Sequence, residues 1–255
     1  MNRKEIKEFL DLKVDQYNKP SFVKDDPIQI PKQFKSKEDI EISGFLTAII
    51  AWGQRVTIIN NANKLMELME NSPYQFLMQY GPEELSRFDR FVHRTFNAID
   101  CKYFIRRLAE IYRHEGGLEG SLGEFVKRKG TERGISAFKG YFFKGDHEKR
   151  TEKHLADPLR GSSAKRINMF LRWMVRKDSK GVDFGLWDDL PMSSLSLPLD
   201  IHTGNVARKL KLLKRKQNDW KSVDELDTIL RSFDPVDPIR YDFALFGLGV
   251  HEGFK

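Results

Sequence analysis

One cysteine, Cys101, stands in 255 residues, and that scarcity removes an intramolecular disulfide framework, a four-cysteine iron–sulfur cluster and any all-cysteine zinc site. Long apolar runs are missing too. No stretch reaches the eighteen or more residues of a membrane span, and MNRKEIKEFL lacks the apolar core of a signal peptide. The expected setting is therefore the cytoplasm, with no membrane partner. The histidines (His93, His114, His147, His154, His202 and His251) form no HExxH pair and no finger-type spacing. No metal is expected on motif grounds. The carboxylates a metal-dependent nuclease would need (Asp39, Glu41 and Asp157 are examples) are too common here for their spacing to mean much. Fixed-period repeats and low-complexity segments are also absent, which disfavours solenoids and coiled coils.

What is present supports a packed core. Hydrophobic residues make up 40% and aromatic residues 12% of the chain, more than a disordered chain would carry. The apolar spacing is helical almost throughout, and no stretch keeps the two-residue alternation of a half-buried strand. An all-α fold is expected, with a monomer as the expected state.

Ile6, Phe9, Leu10, Val14 and Tyr17 predict a first amphipathic helix, followed by a connector punctuated by Pro20, Pro27 and Pro31. Residues 45–52 (FLTAIIAW) are apolar on every side and predict a central, surrounded helix. Val56, Ile59, Ala62, Leu65, Met66 and Met69 predict the next; Phe104, Leu108, Ile111 and Tyr112 another. Shorter helices are expected at 73–80, 82–90, 121–129 and 131–143, with Gly81, Gly120, Gly130 and Gly145 between or beside them.

The charge is uneven. The formal net charge is +7, and between Arg160 and Lys216 thirteen Lys+Arg stand against five Asp+Glu, a local surplus of +8. A surplus concentrated on one segment points to a surface that meets a polyanion, nucleic acid above all, although a solvated pair of helix faces has the same composition.

Within that segment, GSSAKRINMFLRWMVR at 161–176 predicts a helix capped by Ser162 or Ser163, with Ile167, Phe170, Leu171, Met174 and Val175 inward and Lys165, Asn168, Arg172 and Arg176 on the other side. Lys165 falls in the first turn, where the helix dipole and Arg166 disfavour an ammonium and leave more free amine for nucleophilic attack. A solvated or phosphate-contacting lysine is the bland alternative. LPLDIHTGNVARKLKLL at 197–213 predicts a second helix, opened by Pro198, capped by Asp200 and buried through Val206, Leu210 and Leu213. Asp200 serves either as a plain cap or as a fixed carboxylate that stabilises a developing cation. DPVDPIRYDFALFGLGV reads as structural, with Asp237 as N-cap and Pro238 at the first helical position.

A small-residue turn, a lysine opening a helix, and then a proline-hydrophobe-Asp-x-His segment opening a basic helix resemble the helix-hairpin-helix DNA glycosylase superfamily, which includes endonuclease III and the 8-oxoguanine glycosylases. The matching residues are Lys165 in GSSAKR and Asp200 in PLDIHT. KRINMFLRWMVR, LPLDIHT and DPIRYDFALFGLGV also resemble a bacterial family known only as a domain of unknown function, over essentially the whole chain. The glycosylase resemblance implies a bilobal helical fold with the site between lobes, approximately 38–178 for one lobe and 1–37 with 179–255 for the other. It implies base-excision repair of damaged duplex DNA without a cofactor, oxidised purines being the suggested target. Lys165 would be the nucleophile and Asp200 the catalytic carboxylate of a glycosylase/AP lyase. Gly161, Ser162, Ser163, Arg166, Arg172 and Arg208 would contact DNA, and Gln54, in AWGQRVT, would fill the gap left by a flipped base. The turn keeps one glycine where the superfamily has two, and the residues at 177–194 are expected to pack across the site. A non-catalytic nucleic-acid-binding protein on the same fold is the alternative.

Overall fold

The computed structural model describes residues 1–254, and among them every regular element is helical. Helix α1 (Arg3–Tyr17) is followed by three short 3₁₀ turns, Pro20–Asp25, Pro27–Gln29 and Pro31–Gln33, each begun by a proline whose fixed φ suits a first turn. Then come α2 (Lys37–Ile49), α3 (Arg55–Leu68), α4 (Pro73–Gln79), α5 (Pro82–Ser86), α6 (Ala98–His114) and α7 (Glu124–Phe142). The last four are α8 (Lys165–Val175), α9 (Ile201–Lys209), α10 (Trp220–Phe233) and α11 (Tyr241–His251). The all-α expectation holds. Gly130, at φ 76° and ψ 167°, interrupts α7 where two helices were expected.

Helix α2 sits at the centre because its sequence has no polar face to offer water. Ile40 through Ile49 are all buried. Phe45 meets Phe170 of α8 edge to face at 5.5 Å, and Phe104, Phe138 and Phe142 surround it. Each such ring, fully buried, contributes about 1.5–3 kcal/mol. The one carboxylate in this run, Glu41, is buried but satisfied: it accepts from Tyr112 Oη and Trp187 Nε1, both at 2.7 Å. That Trp187 belongs to the 177–194 segment, whose N–H groups at 184–187 bond the carbonyls of Trp173 and Met174 in α8. Two details differ from the sequence reading. Val56 is exposed while Ile58 turns inward, and the carboxylate of Asp237 goes to Arg176 instead of capping a helix.

Helices α1 and α9 both pack against α11, and glycines in α11 set the distance. A Cβ on Gly247 would lie 2.2 Å from the Tyr17 ring of α1, and one on Gly249 would lie 3.0 Å from His202 of α9. Gly247→Ala is therefore expected to cost about 1–3 kcal/mol through overpacking. Gly140→Ala, at an exposed α7 position where a Cβ meets nothing within 4 Å, should instead be neutral or stabilise by up to about 1 kcal/mol. Thermal unfolding of the two variants checks this. Equal melting temperatures would show that α1 and α11 do not meet at Gly247.

Candidate active site

The turn that opens α8 is shaped by its backbone. Gly161 (φ 87°) and Ala164 (φ 48°, ψ 32°) are left-handed, and Ala164 occupies the N-cap position. Neither serine caps the helix as expected. Ser162 Oγ accepts from the Ala164 N–H at 3.2 Å, and Ser163 Oγ donates to the Leu199 carbonyl at 3.3 Å. The reason is that the turn is laced to the segments on both sides of α9: Ser162 bridges Asp219, and the Trp220 N–H reaches the Gly161 carbonyl at 3.2 Å. Asn218 Nδ2 donates to the Asp200 carbonyl at 3.0 Å, and Arg208 holds that loop through the carbonyls of Arg215 and Gln217 and through Asn218 Oδ1. These bonds bring together two residues 35 positions apart.

Lys165 Nζ lies 3.1 Å from Asp200 Oδ2, with the lysine side chain 34% and the aspartate side chain 14% exposed. Asp200 caps α9 as expected, accepting from the Thr203 N–H at 2.9 Å. Burial pushes its carboxyl upward, but Lys165 and the Thr203 N–H outweigh that and hold it below its ordinary value. The pair lines a cavity of about 820 Å³ walled by Phe22, Trp52, Met169 and Phe246, into which Asp26, Arg172 and Asp242 also reach. None of residues 177–194 lines it, so the expectation that they cross the site is not met.

Three side chains pack on Trp52. His93 meets it edge on at 4.9 Å, His154 stacks at 5.9 Å, and the Arg166 guanidinium lies 4.8 Å from its ring. Burial pushes the His154 imidazole down to about 4 and the Arg166 guanidinium down to about 10. Trp173 and Trp187 are buried in the core.

The arginines expected to contact DNA (Arg166, Arg172 and Arg208), and Arg176, expected on the same side of its helix as Arg172, behave differently from the sequence reading. Arg172 and Arg176 do not line an outer face: they are 4% and 2% exposed, because carboxylates meet them inside. Arg172 pairs with Asp183 at 3.2 Å and with Asp242; Arg176 pairs with Asp183 at 3.0 Å and with Asp178 and Asp237 at 2.8 Å. Asn168 is buried as well. Arg166 spends donors on the carbonyls of Ile49 and His154, and Arg208 on its own loop. Lys177, Lys180 and Arg215 are paired with Asp188, Asp15 and Asp219. The +8 surplus thus does not form one bare basic strip. Gly161 is exposed with open space around it, and Gln54 is exposed at the N-cap of α3 with no capping bond, next to the cavity-lining Gly53 and Arg55.

Residues 26–251 match the family described as "Protein of unknown function (DUF2400)". The chain belongs to the DUF2400 family. Neither a curated protein nor a solved structure matches it. The DUF2400 match spans Asp26, Lys165, Asp200 and Asp242, so the whole polar set of the cavity lies within it. Among the described residues no cluster of three or more His, Cys, Asp or Glu is arranged to hold a metal, and no helix is long and apolar enough to cross a membrane. Asp39, Glu41 and Asp157 lie apart, bonded respectively to Ser36 and the Tyr74 N–H, to Tyr112 and Trp187, and to Ser136.

Asp26 and Asp242 escaped the sequence reading, one inside a proline-punctuated connector and the other inside an apolar helix read as structural. A lone aspartate in YDFALFGLGV was the available signal, since a carboxylate on a surrounded helix requires a buried partner.

Behind the site, the buried Asp227 accepts the Leu197 N–H at 3.0 Å, three residues before Asp200. Burial pushes it up to about 7, against the pull of Arg231; Asp242 is raised for the same first reason. A carboxyl whose folded value exceeds its unfolded value of about 3.9 stabilises the fold fully below that pH and loses the contribution as pH rises through the folded value. Asp227 and Asp242 therefore withdraw stability between about pH 4 and pH 8, while His154, with its lowered value, adds stability as pH rises through the lower part of that range. Asp227→Asn, which can still accept from Leu197, should shift the slope of melting temperature against pH toward less loss at high pH, on the order of a few kcal/mol. An unchanged slope in the variant would contradict the assignment.

Proposed function

We propose that the protein is a DNA glycosylase/AP lyase of base-excision repair, acting on a nucleotide rotated out of a damaged duplex. The observation that carries this reading is the 3.1 Å approach of Lys165 Nζ to Asp200 Oδ2 inside an open cavity with an aromatic wall. These are the two residues selected by the resemblance to the helix-hairpin-helix glycosylases. Base flipping needs a pocket with stacking surfaces and polar groups for the base edge, and Trp52 and Phe246 with the cavity's charged groups meet that need.

Breaking the glycosidic bond sends its electron pair to the departing base, which takes up a proton, and leaves positive charge on the sugar. Asp200, held ionised by Lys165 and the Thr203 N–H, stabilises that charge. The Lys165 amine, having given one proton to solvent, adds to C1′; as the sugar ring opens, a second Nζ proton passes to O4′ and a Schiff base results. Strand cleavage follows when solvent takes a C2′ proton: the C2′–H pair forms the C2′=C3′ double bond and the 3′ phosphate leaves with the C3′–O pair. In this reading the Gly161 turn and Gln54, both exposed, serve for backbone approach to a phosphate and for filling the vacated stack.

Purified protein is to be mixed with duplexes carrying an abasic site, 8-oxoguanine, uracil or alkylated bases and reduced with borohydride. A covalent adduct lost in Lys165→Gln is the expected result, with Asp200→Asn slowing base release at least 100-fold. DNA binding that persists without any trap or cleavage would exclude the enzyme and leave the non-catalytic nucleic-acid-binding reading.

A further inference from the structure

One group in the cavity has no task in that chemistry. Asp26 is 8% exposed and lines the cavity. Among the described residues it has no ion pair and a single side-chain hydrogen bond, in which Oδ1 accepts from the Ile28 N–H at 3.0 Å. Oδ2 is left without a protein partner. Burial raises its pKa, against the Ile28 N–H and the charges of Arg172, Arg55 and Lys165. Burying a carboxyl without a counter-ion destabilises a fold. Capping the short turn Pro27–Gln29 does not account for it, because a serine or asparagine caps as well and carries no charge.

The surroundings say what Oδ2 is available for. Aromatic side chains (Phe22, Trp52 and Phe246) and cations (Arg55, Arg172 and Lys165) line the same cavity. An acceptor set near cations, in a cavity lined by aromatic side chains, matches a planar heterocycle that carries a ring N–H next to a carbonyl. We infer that Asp26 Oδ2 accepts the ring N–H on the pairing edge of the bound base, and that the substrates are lactam-edged bases of the guanine or uracil type. The neighbouring carbonyl of such a base faces the cavity's arginines. Adenine- and cytosine-type bases, which place a ring nitrogen where the lactam has its N–H, are disfavoured. The inference rests on the glycosylase reading only for how the base arrives.

Binding of thymidine, N3-methylthymidine, deoxyguanosine, deoxyadenosine and deoxycytidine to the full chain, followed by tryptophan fluorescence, tests it without any turnover. Wild-type protein should bind thymidine and deoxyguanosine roughly tenfold or more tightly than the other three, the scale of one hydrogen bond to a charged group. In Asp26→Asn, Oδ1 keeps the Ile28 bond and an NH₂ donor faces the cavity, so this order should collapse or invert while thermal unfolding confirms the fold. Equal affinity of wild type for thymidine and N3-methylthymidine, no nucleoside binding, or an unchanged order in the variant overturns the inference. The expected order without an abasic-site trap would sink the glycosylase reading and leave the base site standing. A trap without that order would do the reverse.

Discussion

Two guanidinium groups buried among four carboxylates hold the site in place. Arg172, in the last turn of α8, and Arg176, its C-cap, are met by Asp178 and Asp183 from the segment after that helix, by Asp237 four residues before α11 and by Asp242 in its first turn. Both cations also lie against the face of Phe243, at 4.5 and 5.2 Å. Removing one member of such a cluster leaves an uncompensated buried charge, at a cost of about 3–5 kcal/mol. The network fixes α8 relative to α11 from its C-terminal half. The lacing of the 161–164 turn to Leu199, Asp219 and Trp220 fixes it from the other end. Lys165 meets Asp200 because both ends of α8 are constrained.

The electrostatics of the cavity follow from that arrangement. The carboxyls near Lys165 differ in their surroundings and hence in their charge. Asp200 is capped by an N–H, paired with an ammonium and kept ionised; Asp26 and Asp242 are raised by burial. Environments that push similar groups apart are a property of sites where each group has a separate part to play. Asp200 is a paired, capping carboxylate, whereas Asp26 keeps one oxygen without a protein partner among the described residues.

Most of the helices were legible because helical periodicity is a local property. The apolar run at 45–52, the stripe through α1 and the Asp200 cap all depend on residues within a few positions of one another. The Lys165–Asp200 pairing was legible through resemblance alone, since nothing local links residues so far apart. What could not be read was the destination of the charges. A run of Lys and Arg between 160 and 216 looks like a surface in one dimension, but Asp178, Asp183, Asp237 and Asp242 draw two of its members inside. For the same reason Asp26 and Asp242 looked like connector and helix filler: only the tertiary fold brings the proline turns, α8 and α11 around one cavity.

The central claim is that Lys165 is the amine that becomes bonded to sugar. Peptide mapping by mass spectrometry, after borohydride reduction of the protein with an abasic-site duplex, addresses it most directly. The account predicts a single modified lysine at position 165, with the remnant sugar on Nζ. Modification of the N-terminal amine or of an exposed lysine instead, with residue 165 unmodified, would contradict it.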